Sequence, residues 1–420
     1  VHTLMIISLA QVFMTSMILG LKLGDFTIGI NPFKLLREVD TNSMFSDPNY
    51  LSFIKDGRGL NPLLQNVWMI LHPPLLFIGF SLCIVPFAYS IAGLLKKQYT
   101  KWIKPSLQWN VLALLFLGLG IILGGAWAYE ELTFGGFWAW DPVENTSLVP
   151  WIMLLAMLHF FLVAKREIYS YTLLFITTIF TFVLVLYSTF LTRSGDLFNI
   201  TSAHTFKNVD MIYQLLLYIF VFLLVPFIIL IVRKKHFPKR FKEDSSSREF
   251  WMFIGVMALL LSAFQITYTT SIPVINKVFN INLLLPVNRL QHFNNWQTPF
   301  ATIVVLLIAV TQFLYYGNNK LKDLIKILFS FIFSLLISVA LVYYFKIDTV
   351  LNIVLIFASV FAFIASLDFA FRFYNKSQNL GATVSHLGIA LFLIGAVAAF
   401  SKSEVLTQTT KPINVNNKFT

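Results

Sequence analysis

The feature that most constrains this chain is a series of about eleven apolar stretches, each long enough to cross the roughly 30 Å hydrocarbon core of a bilayer. They begin near Leu4, Val67, Leu107, Leu148, Tyr171, Met211, Phe250, Phe300, Leu324, Val350 and Ala382. Only 12% of the 420 residues are charged, against about 25% in soluble proteins. Because backbone polar groups find no water in lipid, the spans must be helical. The sequence predicts an all-α, polytopic membrane bundle of about eleven helices, with residues 1–420 forming a single transmembrane domain.

The loops differ in charge in a way that predicts their sides of the membrane. Every second loop between the predicted spans is basic, and these five loops lie at 96–106, 165–170, 233–249, 320–323 and 372–376. The positive-inside rule places them in the cytoplasm, so the intervening loops, including 128–147, face outward. The net charge of +12 then reflects a basic surface beside membrane lipid, which argues against nucleic-acid binding.

Two counts bound the chemistry. Cys83 is the only cysteine and lies in an apolar span, which excludes a disulfide or a CxxC pair within this sequence. Any thiol chemistry must come from a partner or a substrate. The chain begins at Val1 and shows no basic segment before its first apolar run, so we expect an interior piece of a longer polytopic protein.

The loop at 128–147 combines aromatic rings, glycines and carboxylates, in the run YEELTFGGFWAWDPVENTSLVPW. Asp141 and Pro142 are typical of a helix start, and Asp141 with Glu144 could serve only as caps. The tryptophans could likewise form an ordinary aromatic belt at the membrane interface. The paired glycines, Gly135 and Gly136, instead favour a platform that a large planar ligand approaches closely.

Two of the seven histidines lie inside predicted spans, where an ionisable side chain is a candidate functional residue. His159 and His386 both fall about 7 to 9 Å below the cytoplasmic boundary, at 1.5 Å per helical residue. Two neutral imidazoles at matched depth could ligate a buried six-coordinate haem. Alternatively, each could hydrogen-bond to a neighbouring helix.

A second pair of histidines is expected on the outward side. His72 stands near the outer end of its span, where Pro73 and Pro74 are expected to bend the helix, and His204 lies in the next outward loop. They could form a second iron site above the aromatic platform, or they could be ordinary interface residues. Arg193 ends a span and could pair with a porphyrin propionate or extend to the interface.

Taken together, these motifs resemble a known family. GGFWAWDPVEN is similar to the tryptophan-rich "WWD" motif of haem-handling cytochrome c assembly proteins. DGRGLNPLLQN, HPPLLF, GIILGGAWAYEEL, NTSLVPW, STFLTRSG and SHLGIALFLIG resemble landmarks of the CcmF-type haem lyase subunit, in order. The resemblance covers nearly the whole chain and is weakest from about 205 to 380. Phe134 departs from it, because the family usually has tryptophan there.

The resemblance implies a role for each candidate residue. His72 and His204 would ligate the substrate haem and act as the catalytic pair, while His159 and His386 would hold a permanent haem b. The residues implied to cradle the incoming haem are Gly135, Gly136, Trp138, Trp140, Asp141, Pro142, Glu144 and Asn145, with Arg193 beside them.

The resemblance also implies a cytochrome c haem lyase in the bacterial inner membrane, with its platform in the periplasm. Expected partners are a periplasmic haem chaperone, apocytochrome c with a CXXCH segment, a thioredoxin-like thiol-handling protein and membrane lipid, with quinol as reductant. The protein would hold haem for thioether attachment, with the buried haem keeping the iron reduced.

Three other functions stay open at this point. A haem transporter would use the same histidines together with a polar pathway across the membrane. A quinol-oxidising electron-transfer subunit would need only His159 and His386, and would leave the platform unexplained. A polytopic scaffold would tolerate loss of all four histidines.

Overall fold

A computed structural model describes most of the chain. The described residues are 1–24, 26–33, 35, 38, 45, 47–54, 56, 59–131, 136–164, 171–194, 211–238, 245–315, 319, 325–373 and 380–402. Within them, ten helices are long and apolar enough to cross a membrane. The first predicted span is instead a shorter apolar helix of 15 residues. The prediction of an all-α, multi-pass membrane protein is confirmed.

The helices follow the apolar stretches closely. In chain order they are α1 (His2–Ser16), α2 (Val67–Leu82), α3 (Ile84–Leu95), α4 (Ile103–Glu130), α5 (Pro142–Ala164), α6 (Tyr171–Arg193), α7 (Ile212–Arg233), α8 (Arg248–Thr270), α9 (Ile272–Phe279), α10 (Arg289–Thr311), α11 (Leu328–Phe345), α12 (Val350–Phe373) and α13 (Leu380–Ser401). A two-stranded antiparallel hairpin, β1 (Leu21–Leu23) and β2 (Phe26–Ile28), lies between α1 and α2. Short 3-10 turns at Tyr50–Phe53 and Pro62–Leu64 follow it.

The span that begins at Val67 is broken lower than the sequence predicts. Helix α2 continues through Pro73 and Pro74, and the break comes at Cys83, between α2 and α3. Pro86 has no backbone N–H to donate to the carbonyl of Leu82, so one bond of the helical ladder is missing here, and Val67–Leu95 together form one candidate span of 29 residues. The buried Cys83 thiol donates to the carbonyl oxygen of Gly79 at 3.3 Å.

The chain divides into two compact units. The first comprises Val1–Asp244 and Met252–Trp296, and the second comprises Ser245–Trp251 and Gln297–Thr420. In the first unit, α2 packs along α4, α5 along α6, and α6 along α7, around a core of aromatic and aliphatic side chains. Whether residues 1–420 form a single domain depends on how the two units associate, so the single-domain prediction stays a prediction.

The second unit has its own apolar core and a polar seam. Helix α12 packs against α11 and α13, around Ile356, Phe361 and Ala365. On α11, Ser330 donates to the carboxylate of Asp368 at 2.8 Å, and Arg372 pairs with the same carboxylate at 2.7 Å. The one membrane carboxylate of α12 is therefore neutralised near the end of its helix.

Glycines set the distance between α2 and α4 in the first unit. A β-carbon added at Gly120 would lie 2.7 Å from the backbone nitrogen of Leu76, and one added at Gly79 would lie 2.5 Å from that of Leu117. Real β-carbons do not approach backbone atoms so closely, so only glycine permits this contact. Small residues spaced along a helix commonly allow such approach in membranes, where van der Waals packing drives association.

We expect Gly120→Ala to push α2 away from α4, because the new methyl group meets backbone rather than a movable side chain. The cost should be about 1 to 3 kcal/mol, as for other overpacked cores. The midpoint of thermal unfolding in detergent should fall by several degrees. Gly388→Ala is the matched control, because a β-carbon there meets nothing within 4 Å. Equal midpoints for the two variants would contradict this explanation.

Candidate functional site

His72 lies against the last turns of α4. Its imidazole stacks on the buried Trp127 ring, with centroids 6.5 Å apart and planes 24° apart. Gly124 makes room for it, because a β-carbon there would lie 2.7 Å from ring atoms Cε1 and Nδ1. The glycine spacing that brings α2 and α4 together therefore also seats the histidine.

A hydrogen bond fixes the orientation and the tautomer of His72. Its Nδ1 lies 2.6 Å from the carbonyl oxygen of Gly120. Because a carbonyl only accepts, the neutral ring carries its proton on Nδ1 and its lone pair on Nε2. Metal-ligating histidines are usually held in this way, with one ring nitrogen donating to a carbonyl and the other binding the metal.

A carboxylate joins the ends of the two helices above His72. Glu130, the last residue of α4, accepts from the indole N–H of Trp68 at 2.7 Å and from the side-chain amide of Asn66 at 2.8 Å. The Asn66 side-chain oxygen also caps α2 by accepting from the backbone N–H of Trp68. Trp68 and His72 are one helical turn apart, so this cluster fixes the turn that carries the histidine.

The platform segment, residues 136–145, contacts the same turn of α4. Phe137 packs on Gly125, where a β-carbon would lie 2.7 Å from its ring. Gly124 and Gly125 are adjacent and so point about 100° apart around the helix, which places the His72 imidazole and the Phe137 ring on neighbouring sides of one α4 turn. Gly136 adopts φ 111°, a conformation that favours glycine.

A capping box starts α5 at the platform. The Asp141 carboxylate accepts from the backbone N–H of Val143 at 2.9 Å, and the Glu144 carboxylate accepts from the N–H groups of Asp141 and Ala139, at 2.9 and 3.0 Å. These bonds satisfy donors that a helix start otherwise leaves open. Both acids therefore act as caps, the simpler of the two expectations, and they fix the shape of the platform.

Trp140 is held inside the protein, unlike a residue of an aromatic belt. It is 9% exposed, stacks on Phe293 with centroids 5.0 Å apart, and donates from its indole N–H to the Asn294 side-chain oxygen at 2.7 Å. Its backbone has φ 55°, in the left-handed region.

Trp138 stands edge-on to Trp140, with centroids 5.8 Å apart and planes at 89°. Its buried indole nitrogen has no hydrogen-bond partner among the described residues. A buried N–H without an acceptor costs free energy, so any acceptor placed against it would stabilise the site.

Asn145 joins the platform to α8 from beneath. Its side-chain amide donates to the Trp140 carbonyl oxygen at 3.3 Å and to the Thr270 hydroxyl at 3.0 Å, and the residue is 1% exposed. A small cavity of about 10 Å³ lies beside it, lined by Asn145, Thr146, Val149, Leu184, Tyr187, Leu191, Ile266, Thr267 and Thr270. Asn145 thus supports the platform from the interior, as does the buried Pro142.

His159 lies on the platform's own helix, 17 residues beyond Pro142, or about 25 Å along α5. Its Nδ1 is 2.8 Å from the carbonyl oxygen of Leu155, one turn earlier. As in His72, the proton therefore sits on Nδ1 and the lone pair on Nε2. The ring is half-buried, among side chains of the first unit.

The remaining predicted site residues either lie near helix ends or fall outside the described part of the chain. His386 is half-buried on α13 in the second unit, so its pairing with His159 stays a prediction. Arg193 is half-buried and ends α6, two residues beyond Leu191 of the cavity. His204, Gly135 and Phe134 lie outside the described residues.

Sequence analysis did not identify four residues that support the site. Phe293 and Asn294 hold Trp140 from about 150 positions away, and no local pattern signals such a contact. Gly124 lies in the segment GIILGGAWAYEEL, for which no structural role was predicted. The spacing Gly120–Gly124 is nevertheless the small-residue pattern of close helix contacts. Glu130 gave no signal beyond its charge.

Comparison with known proteins agrees with the fold and the motifs. The sequence model of the family described as "Cytochrome C assembly protein" matches residues 2–198. The chain is 31% identical over 365 residues to the cytochrome c-type biogenesis protein CcmF of Escherichia coli (strain K12), covering 84% of this chain and 55% of that protein. It is 32% identical over 363 residues to the cytochrome c-type biogenesis protein NrfE of Haemophilus influenzae, covering 81% and 54%.

A solved structure named "Cytochrome c Heme Lyase CcmF" has the same fold, with a TM-score of 0.63 at 22% identity over 84% of this chain and 54% of that one. This chain therefore spans about half the length of the curated relatives it matches. The matches run through α2, α4 and the platform, where the site described above is built. The chain belongs to the cytochrome c assembly family and is of the CcmF type.

Proposed function

We propose that this chain is the haem-handling part of a cytochrome c haem lyase, which holds haem at the platform for thioether attachment to an apocytochrome. The observation that carries the proposal is the hydrogen bond from His72 Nδ1 to the Gly120 carbonyl oxygen, at 2.6 Å. This bond puts the lone pair on Nε2, the nitrogen that would bind iron. It also fixes the orientation of the ring before haem arrives.

The platform supports the same function. A haem ring needs a rigid apolar surface with few polar contacts, and Trp138 and Trp140 are fixed by the capping box and by Asn294. The indole N–H of Trp138, buried without a partner among the described residues, would suit a propionate or carbonyl oxygen of the substrate. His204 is proposed as the second ligand of the substrate haem, with His72 as the first.

A second, resident haem b is proposed on His159 and His386. His159 suits this role, because its Nδ1 is tied to Leu155 and its Nε2 carries the lone pair. When bound, this group would supply one-electron reduction of the substrate iron, with quinol as the electron donor. The apolar side chains around His159 on α5 would keep water away and favour neutral imidazole.

The reaction itself adds the two thiols of a CXXCH segment across the two vinyl groups of the substrate haem. Each S–H hydrogen passes to one vinyl carbon and the sulfur bonds the other, so atoms balance without net oxidation. The chain supplies position: His72 holds the iron, and the platform holds the ring plane. No thiol of this chain is needed, which agrees with Cys83 being buried in the membrane region.

The partners and location belong to this proposal. A periplasmic haem chaperone would deliver haem, and a thioredoxin-like protein would keep the apocytochrome thiols reduced. The protein would lie in the bacterial inner membrane with its platform in the periplasm, as the basic loops indicate.

The first test uses reduced-minus-oxidised absorbance spectra of the purified full-length parent protein. We expect His159→Ala and His386→Ala each to abolish the b-type haem signal, because one axial ligand cannot hold a low-spin haem alone. The His72→Ala/His204→Ala double variant should keep that signal and lose apocytochrome maturation.

His236→Ala is the matched control, since His236 is exposed and follows the end of α7. This variant should change neither the b-type haem signal nor apocytochrome maturation. A haem signal that survives loss of His159 or His386 would remove the resident haem from the proposal. Maturation by the double variant would overturn the outer site.

The platform test concerns the indole nitrogen of Trp138. We expect Trp138→Phe to keep the fold and lower cytochrome c maturation by about ten- to a hundredfold, since a charge-assisted hydrogen bond contributes about 1.5 to 3 kcal/mol. Maturation is measured as the yield of a co-expressed cytochrome c, quantified by haem staining. Trp102→Phe is the control, because that indole donates to the Tyr99 carbonyl oxygen inside the core. Equal yields from both variants would exclude a ligand contact by Trp138.

A further inference from the structure

The connection between α8 and α10 has a shape that the proposed function does not use. It contains α9 and then a non-helical stretch, Asn280–Asn288. Residues 271–289 include Lys277 and Arg289 but no acidic residue. Both ends join helices that are long enough to span the membrane, so the segment lies at the membrane's edge.

The segment is held in a fixed shape by one side chain. The Asn276 amide donates to the carbonyl oxygen of Leu283 at 2.9 Å, and the Leu283 N–H donates back to the Asn276 side-chain oxygen at 2.8 Å. The Ile281 N–H also donates to the Asn276 carbonyl oxygen, and Asn280 turns the chain in the left-handed conformation. Asn276 thus pairs both backbone polar groups of one residue, Leu283, as a neighbouring strand would.

This ordered loop presents apolar side chains outward. Leu284 is 86% exposed, and the other exposed members are Val278, Phe279, Ile281, Leu285 and Val287. They occupy one short stretch outside the spanning helices, where water would otherwise cover them. A contiguous apolar surface of this kind marks a contact with lipid or with another protein.

The flanking charges and the position favour lipid. Lys277 and Arg289 bracket the apolar stretch, a pattern typical of segments that lie at headgroup level with basic side chains toward phosphates. The adjoining helix α8 also exposes apolar side chains, such as Phe264 and Tyr268. The paired backbone groups of Leu283 lower the cost of leaving water, because lipid offers such groups no partner.

We infer that residues 278–287, held by Asn276, form an interfacial anchor that inserts into the outer part of the lipid bilayer beside the platform. The anchor leads directly into α10, whose first turns carry Phe293 and Asn294, the two residues that hold Trp140. Lipid contact therefore sets the depth at which the platform tryptophan sits. The inference does not depend on the proposed haem chemistry.

Site-directed spin labelling in nanodiscs of neutral and anionic phospholipid tests the anchor. A nitroxide at Leu284→Cys should collide with oxygen, which concentrates in lipid, rather than with a water-soluble nickel chelate. The oxygen-to-nickel accessibility ratio is expected to be at least threefold above that at Ser52→Cys, an exposed site outside the spans. It should approach the ratio at Val225→Cys, on the exposed side of α7.

The unsubstituted chain measures background labelling, which should be negligible because Cys83 is 1% exposed. A ratio at Leu284 equal to that at Ser52 would overturn the inference and leave the surface to a soluble protein partner. Adding Asn276→Ala should lower the Leu284 ratio toward the aqueous value, whereas the exposed Asn282→Ala should not. An unchanged ratio in Asn276→Ala would contradict its holding role.

Discussion

The close contact of α2 with α4 determines the rest of the site. Membrane helices gain no hydrophobic free energy from leaving lipid for one another, so they associate through packing, and packing this close requires glycine. Gly79 and Gly120 remove the side chains that would separate the helices, and Gly124 leaves the space that the His72 ring fills. The same contact brings the Gly120 carbonyl oxygen within hydrogen-bonding distance of Nδ1. The glycines that let the two helices pack therefore also set the orientation of the His72 ring.

The platform depends on segments that are far apart in sequence. Its own residues supply the capping box, but Trp140 is placed by Phe293 and Asn294 of α10 and, through Asn145, by Thr270 of α8. Most hydrogen bonds of the polar side chains here are made with backbone, since buried polar groups in membranes must find partners within the protein. Among the described residues of the platform, the Trp138 indole nitrogen and the Asn145 side-chain oxygen are buried without a hydrogen-bond partner.

Sequence patterns predicted the helices well, because an apolar run of about 20 residues has one outcome in lipid. Predicted starts at Val67, Tyr171 and Val350 coincide with helix starts in the structure. The break at Cys83 was not predicted, because Pro86 lies within a continuous apolar run and the bend was expected at Pro73 and Pro74. At the site, the capping roles of Asp141 and Glu144 followed from local spacing, whereas the contacts of Trp140 and the Gly120 bond to His72 are tertiary and leave no local pattern.

The left-handed backbone of Trp140 shows how strongly its neighbours hold the ring. A bulky residue at φ 55° costs about 1 to 3 kcal/mol, which glycine or asparagine would largely recover. Truncating a buried aromatic side chain costs about 3 to 5 kcal/mol, so the stacking on Phe293 and the bond to Asn294 outweigh this strain. Backbone strain of this kind persists only where surrounding contacts exceed it, so Phe293 and Asn294, and not the backbone preference of the residue itself, set the position of the Trp140 ring.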